Sequence, residues 1–439
     1  MNLDPLHQAY GHFQDGRLEE ADECCRIVLN ANPDHMQANH LLGVIRFRQG
    51  RIADASDLLK RAAASPGATA ETHNNFGVAL MKLGRTEDAI AAFERALAIT
   101  PGYADALNNL GVIYRDAKQT DRAIGAFRQA GALRPDLPQA KANLRSAYCD
   151  VVPAWHFAMM DDKRRNDAYE AAIRRIVPGK QVLDIGTGSG LLAMMAARAG
   201  AAHVVTCEAV GIIAERARAI IAKNGLADRI TVIGKRSTEL VVGRDLPRRA
   251  EVLVTETFAS GLISEGILPT IEHGNEHLLT PDATIIPAAA SVMGYLAGGP
   301  QLSGMLFVDN IAGFDLSDFN DFAPSLLAAS LDGVPHRALS DDIELMRFDL
   351  KQKRFPMAGA RLAIRAIQRG DCVGIVQWIR LELDSQSRFE NRPSPQANFN
   401  GHWLHILYRF PRLVSVEPGR IVPLIARHDR SQIAIDLID

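Results

Sequence analysis

The stretch TETFASGLISE, residues 255 to 265, sets Glu256 and Glu265 nine positions apart, joined by a small and mostly apolar loop. Two carboxylates converging from such a loop make a receptor for one cation. A guanidinium fits that receptor: it is planar, it offers parallel N–H donors, and it stays protonated at any working pH, with a pKa above about 12. Bringing a guanidinium against a second, electrophilic cation inside a low-dielectric pocket costs several kcal/mol, and a pair of acids offsets both charges. The acids also aim one terminal nitrogen, so that orientation supplies part of the acceleration. Glu256 directly follows EVLVT, a buried-looking strand, and therefore leaves a sheet at its carboxyl edge.

The elements that must hold these acids begin upstream. QVLDIGTGSGLLAMMAARAGAAHVVTCEA reads as strand, glycine turn, helix and second strand, followed by a helix from about Gly211 to Lys223, a strand near Ile230 to Ile233, and EVLVT. Alternating strands and helices imply a parallel sheet with ligands beyond its carboxyl ends. A dinucleotide fingerprint needs glycines at 186, 188 and 191, but position 191 is Leu and the third glycine is Gly190. GxGxG after an Asp-bearing strand resembles the S-adenosylmethionine loop of Rossmann-type methyltransferases. That resemblance assigns Gly186, Thr187, Gly188 and Gly190 to the cofactor loop. Asp184 would face the ammonium of the amino-acid tail, and Glu208, at the end of the second strand, would accept from both ribose hydroxyls.

With both acids in place, the chain resembles the protein arginine N-methyltransferases, whose double-glutamate loop has this position and spacing. WHFAMMDDKRRNDAY is similar to the family's helix that folds over the cofactor. By that match Arg165 pairs with the cofactor carboxylate, while His156 and Met159 lie near the adenosyl and methyl ends. GKRSTE places Ser237 where many relatives carry an acid beside the adenine. IAGFDLSDF resembles the start of a dimerisation arm. GHWLHILYRF carries His402 and Trp403, similar to a Thr-His-Trp loop flanking the arginine slot, with Gly401 in the Thr position. The resemblance pairs His402 with Asp162, to take a proton or pin the helix, and gives Trp403 to the substrate.

The first third is a repeat. A shift of 34 residues brings Gly43, Gly77 and Gly111 into register, and likewise Ala21, Ala55, Ala89 and Ala123. This resembles the tetratricopeptide repeat, with Tyr10 to Pro33 as a degenerate first copy. Small residues let paired helices approach, large ones such as Phe93 and Phe127 fill between them, and each unit buries its stripe only against neighbours. The implied concave groove would take a protein partner, with Asn74, Asn75, Asn108 and Asn109 gripping an extended backbone; the alternative is an array that only stabilises or spaces the rest. Pro138 to about Cys149 reads as a capping helix.

The organisation expected is multidomain: an all-α repeat array over 1–147, an α/β Rossmann-type domain over 148–290, and an antiparallel β-barrel over 291–439 with a helical dimerisation arm near 310–330. Lys plus Arg (49) nearly cancels Asp plus Glu (51), so no global field favours nucleic acid or a membrane surface. Five scattered cysteines without a CxxC pair, and an N-terminus without a basic-then-apolar leader, indicate a reducing, cytoplasmic setting. HGNEH, 273 to 277, matches an inverted zinc-protease motif, but zinc needs a third protein ligand, and no metal is expected. The expected activity is S-adenosylmethionine-dependent methyl transfer to an arginine guanidinium in a protein substrate, by a homodimer. The rivals are a non-catalytic cofactor-sensing scaffold and a methyltransferase acting on another substrate.

Overall fold

The structure, a computed structural model, describes residues 4–152, 155–395 and 403–438. The chain divides into two compact units, Met1–Pro153 and Ala154–Asp439.

The first unit is an array of helices: α1 Pro5–Gln14, α2 Leu18–Ala31, α3 Met36–Arg48, α4 Ile52–Ala64, α5 Ala70–Lys82, α6 Thr86–Ile99, α7 Ala104–Asp116, α8 Thr120–Leu133 and α9 Pro138–Val151. The turn inside each pair needs one residue with positive φ. Gly16, Gly50 and Gly84 supply it at +75°, +77° and +73°, and Lys118 takes the fourth place at +59°. The register glycines make room for the second helix: a Cβ on Gly77 would stand 2.7 Å from the Phe93 ring, and one on Gly111 2.5 Å from that of Phe127. In the first pair Ala9 and Cys25 hold the equivalent positions, and both are fully buried.

The asparagines expected to grip a partner bond to the array itself. Asn109 Nδ2 donates to Asn74 Oδ1 at 3.0 Å, Asn143 Nδ2 to Asn108 Oδ1 at 2.9 Å, and Asn75 Nδ2 lies 2.9 Å from His40 Nε2. These rungs tie each inner helix to the next.

The second unit opens with the helices Trp155–Asp161 and Lys163–Ile176, then a five-stranded parallel sheet of β1 Gln181–Ile185, β2 His203–Cys207, β3 Ile230–Ile233, β4 Ala250–Thr255 and β5 Leu279–Ile286 in the order β3-β2-β1-β4-β5. Every residue of β1 is buried, as a strand covered on both faces must be. Register aligns the strand ends, with Ile185 opposite both Cys207 and Thr255. Gly186, Glu208 and Glu256 therefore leave three adjacent strands at one edge.

The rest is antiparallel. A seven-stranded sheet is built around Ala289–Gly298, Gly370–Glu382 and His405–Val416, and a three-stranded one from Ala358–Arg365, Ile421–His428 and Ile433–Leu437. One continuous apolar core joins Leu183, Val204 and Leu253 of the parallel sheet to Leu296, Ile379, Phe410 and Leu424 of the antiparallel strands. The segment read as a helical arm is a short hairpin, Asn310–Ile311 with Phe314–Asp315, and then a single 3-10 stretch, Ser317–Phe322. No helix among the described residues is long and apolar enough to cross a membrane.

Candidate active site

The loop between the two glutamates is held from below. Trp403 Nε1 donates to Phe258 O at 2.6 Å, Gln377 Nε2 to Ser260 O at 3.1 Å, and the Leu404 amide to Ser260 Oγ at 2.9 Å. Within the loop the Leu262 amide donates to Ala259 O at 2.8 Å, and Leu262 carries a φ of +65°. Leu262, and not the neighbouring Gly261, takes the positive φ of the fold-back, with its side chain buried in the core. Packing there overrides the cost of a branched residue at positive φ.

Glu256 and Glu265 open on one cavity of about 580 Å³ at the carboxyl edge of the sheet. Gly186, Gly188 and Glu208 line it too, with His156 and Met159 from the helix Trp155–Asp161 and Ser237 from a short 3-10 turn. Eight of the residues singled out in the sequence thus meet around one space. The order of strands changes direction between β1 and β4, so the cavity sits at the switch point of the sheet.

The other expected residues stand behind that wall. Arg165 forms a buried ion pair with Glu256, Nη2 to Oε2 at 2.7 Å, with side chains 3% and 6% exposed. Its guanidinium lies 5.3 Å above the Tyr169 ring, and its Nε–H has no partner among the described residues. Glu256 already accepts one guanidinium within the fold, which is the chemistry expected of it toward a substrate. Asp162 caps the helix Lys163–Ile176, accepting the Arg165 amide at 3.0 Å. His402 lies outside the described residues. Trp403 is buried beneath the loop, where its indole braces Phe258 O, and it does not line the cavity.

A hydroxyl chain shapes the glycine loop. Thr206 Oγ1 donates to Asp184 Oδ2 at 2.6 Å, so its oxygen is left to accept from Thr187 Oγ1, also 2.6 Å away. Asp184 is buried, and burial pushes its carboxyl up to about 7 against the opposing pull of the Thr206 hydroxyl. Its Oδ1 has no partner among the described residues. Glu208 is oriented by two amides, Gly188 N–H to Oε2 at 3.1 Å and Val210 N–H to Oε1 at 3.0 Å. Gly190, at φ +85°, caps the helix Leu191–Arg198 and packs on Ile221.

Sequence reasoning missed Thr206, Ser260 and Gln377. Gln377 did leave a signal, since an amide in the middle of the apolar strand GIVQWIRL needs a partner. The pair His273 and His277, with ring centroids 4.9 Å apart and tilted at 48°, lies elsewhere; among the described residues no group of three His, Cys, Asp or Glu is placed to hold a metal.

Comparison with known proteins decides the family. An arginine N(omega)-methyltransferase of Streptomyces achromogenes subsp. streptozoticus is 41% identical over 275 residues, which cover 62% of this chain and 75% of the relative. The chain belongs to the arginine N-methyltransferase family. Protein arginine N-methyltransferase 7 of Drosophila melanogaster is 30% identical over 333 residues, covering 66% of this chain and 48% of that protein, so the chain spans about half the length of this family member. The tetratricopeptide repeat family matches residues 6–69 and 68–136, and the family described as ribosomal protein L11 methyltransferase (PrmA) matches 168–276. Among solved structures, the Trypanosoma brucei PRMT1 enzyme-prozyme heterotetrameric complex with AdoHcy superposes with a TM-score of 0.56 at 21% identity, over 66% of this chain and 95% of that one. PRMT6 gives 0.52 at 18% identity, over 65% and 98%. Both likenesses concern the fold shared across the arginine N-methyltransferases.

Proposed function

We propose that this chain transfers a methyl group from S-adenosylmethionine to a guanidinium nitrogen of arginine in a protein substrate. The observation that carries the reading is the shared cavity: Glu256 and Glu265 open on the same space as Glu208 and the glycine loop, in a member of the arginine N-methyltransferase family. The residues suit a zwitterionic adenosyl cofactor, because among the described residues the buried Arg165 Nε–H has no partner and could meet an anionic group, and the buried Asp184 Oδ1 has none and could meet a cationic one. When bound, the cofactor supplies an electrophilic methyl on a sulfonium. Glu208, Asp184, Arg165 and Gly186, Thr187, Gly188 and Gly190 would hold it, with His156, Met159 and Ser237 along its length.

Glu256 and Glu265 bind the planar fork of the arginine, lower the cost of placing it beside a second positive charge, and aim one nitrogen. Arg165 keeps Glu256 pointed while leaving the carboxylate pair to act on the substrate. His402 with Asp162 takes the released proton or braces the slot, and Trp403 serves the substrate by holding the loop. The repeat array recruits the substrate or a partner, the exposed hairpin arm makes a homodimer, and the setting is cytoplasmic.

The test is methyl transfer from labelled cofactor to an arginine peptide, its lysine analogue and free arginine. The free amino acid is included because the name of the Streptomyces relative does not specify a protein. Glu256→Gln or Glu265→Gln is expected to lose about 100-fold or more in kcat/KM, with cofactor affinity by calorimetry near that of the native chain. Transfer to free arginine alone would replace the protein substrate, and loss of cofactor binding in both variants would remove these acids from the substrate side.

A further inference from the structure

The helix Ile267–His273 begins two residues after Glu265, and Gly266, Pro269 and Thr270 of its first turn face the cavity beside that glutamate. With seven residues it is too short to hold its own position. Its far end carries Glu272, a carboxylate that is 5% exposed and has no part in the site described above. Glu272 Oε1 accepts the Phe355 amide at 2.7 Å, Oε2 accepts Arg430 Nη2 at 2.7 Å, and Arg354 Nη1 stands at 3.9 Å. Both oxygens are thus committed to loops of the antiparallel half. Two residues past the helix, Asn275 Nδ2 donates to Leu350 O at 3.0 Å and to Gln352 O at 2.9 Å, which joins the same face to the first of those loops.

The Arg430 end is also built for this contact. Arg430 has a φ of +80°, in a turn closed by Asp429, whose Oδ1 accepts the amides of Ser431 at 2.8 Å and Gln432 at 2.7 Å. A side-chain-bearing residue persists in that conformation only where its surroundings over-determine it. Here the conformation delivers a guanidinium to a buried carboxylate on another element.

We infer that Glu272 and Arg430 are positioning residues for Glu265. The pair fixes the axial position and rotation of the short helix, and through Gly266 it fixes the direction in which Glu265 enters the cavity. The inference rests on the reading of Glu265 as a substrate carboxylate. A misaimed carboxylate still carries its charge, so loss of the pair leaves attraction for the guanidinium and spoils its alignment.

Arg430→Ala is the test, because the Arg430 side chain is 38% exposed and its removal leaves the core intact. Expected is a fall of about tenfold in kcat on an arginine peptide with KM nearly unchanged, and S-adenosylhomocysteine affinity by calorimetry within about twofold of native. Arg430→Lys, which keeps the charge, recovers part of the rate. In a Glu265→Gln background, adding Arg430→Ala has little further effect, since the two act through one carboxylate. An unchanged kcat in Arg430→Ala, a parallel loss of cofactor affinity, or full additivity with Glu265→Gln overturns the inference. Native activity in Glu265→Gln itself would instead remove the reading on which it rests.

Discussion

Asp184 illustrates how far one carboxyl is governed by its surroundings. Its folded value, about 7, lies above the value of about 3.9 expected for an unfolded chain. Between about pH 4 and 7 the folded state therefore keeps a proton that the unfolded chain has released, and this contribution to stability is lost as pH rises through that window. The melting temperature of the native chain is expected to fall relative to Asp184→Asn as pH is raised from 5 to 8. A cationic group bound beside Oδ1 favours the ionised form, so the thermal shift on adding S-adenosylhomocysteine should grow over the same range and stay flat in the variant. Equal pH profiles for both chains would show that the carboxyl does not titrate in this window. The acid near the end of the strand that precedes the glycine turn was visible in the letters, whereas its hydrogen bonding depends on the Thr206 hydroxyl of the neighbouring strand, itself bonded to Thr187 of the turn.

At the scale of elements, the helix pairs of the array depend on single missing atoms. A Cβ on Gly111 would lie 2.5, 2.6 and 3.0 Å from three atoms of the Phe127 ring, closer than the ring can tolerate without moving. Gly111→Ala is expected to destabilise the array by about 1–3 kcal/mol, seen as a lower first transition in calorimetry of the full chain, with methyl transfer to a short peptide unchanged. The repeat was legible because a 34-residue period repeats the same packing problem. The asparagine rungs were visible only as letters: the same amides serve a groove or a ladder, and the choice depends on side-chain direction between neighbouring helices. The loop 256–265 behaves alike. Its acids could be located because they follow a strand end, but the turn at Leu262 and the Trp403 brace depend on packing from positions as much as 145 residues away.

For the molecule as a whole, the arm leaves apolar surface uncovered. Phe314, Phe319 and Phe322 are 71%, 66% and 80% exposed, close to Ile311 and Leu316, an amount that a lone chain rarely shows to water. A second copy that covers this surface would form the homodimer proposed above. Phe314→Ser with Phe322→Ser is expected to give the mass of one chain by light scattering at concentrations where the native protein gives two. A native protein that is monomeric there would set the arm free for some other partner. The continuous core between the parallel and antiparallel sheets makes the second unit one body, so loops of the antiparallel half can hold residues of the site.

By itself the sequence determined the repeat array, the alternating strands and helices of the parallel sheet, and which residues reach its carboxyl edge, but not the hairpin in place of a helical arm. What it determined follows from local rules: hydrophobic period, glycine turns, and the fact that parallel strands end together. Only the tertiary structure decided which of those residues face the cavity and which stand behind it. Arg165 on Glu256, the Trp403 indole on the Phe258 carbonyl and Asp184 against Thr206 are contacts between residues well separated in the chain, and their directions are set by packing that no local pattern encodes.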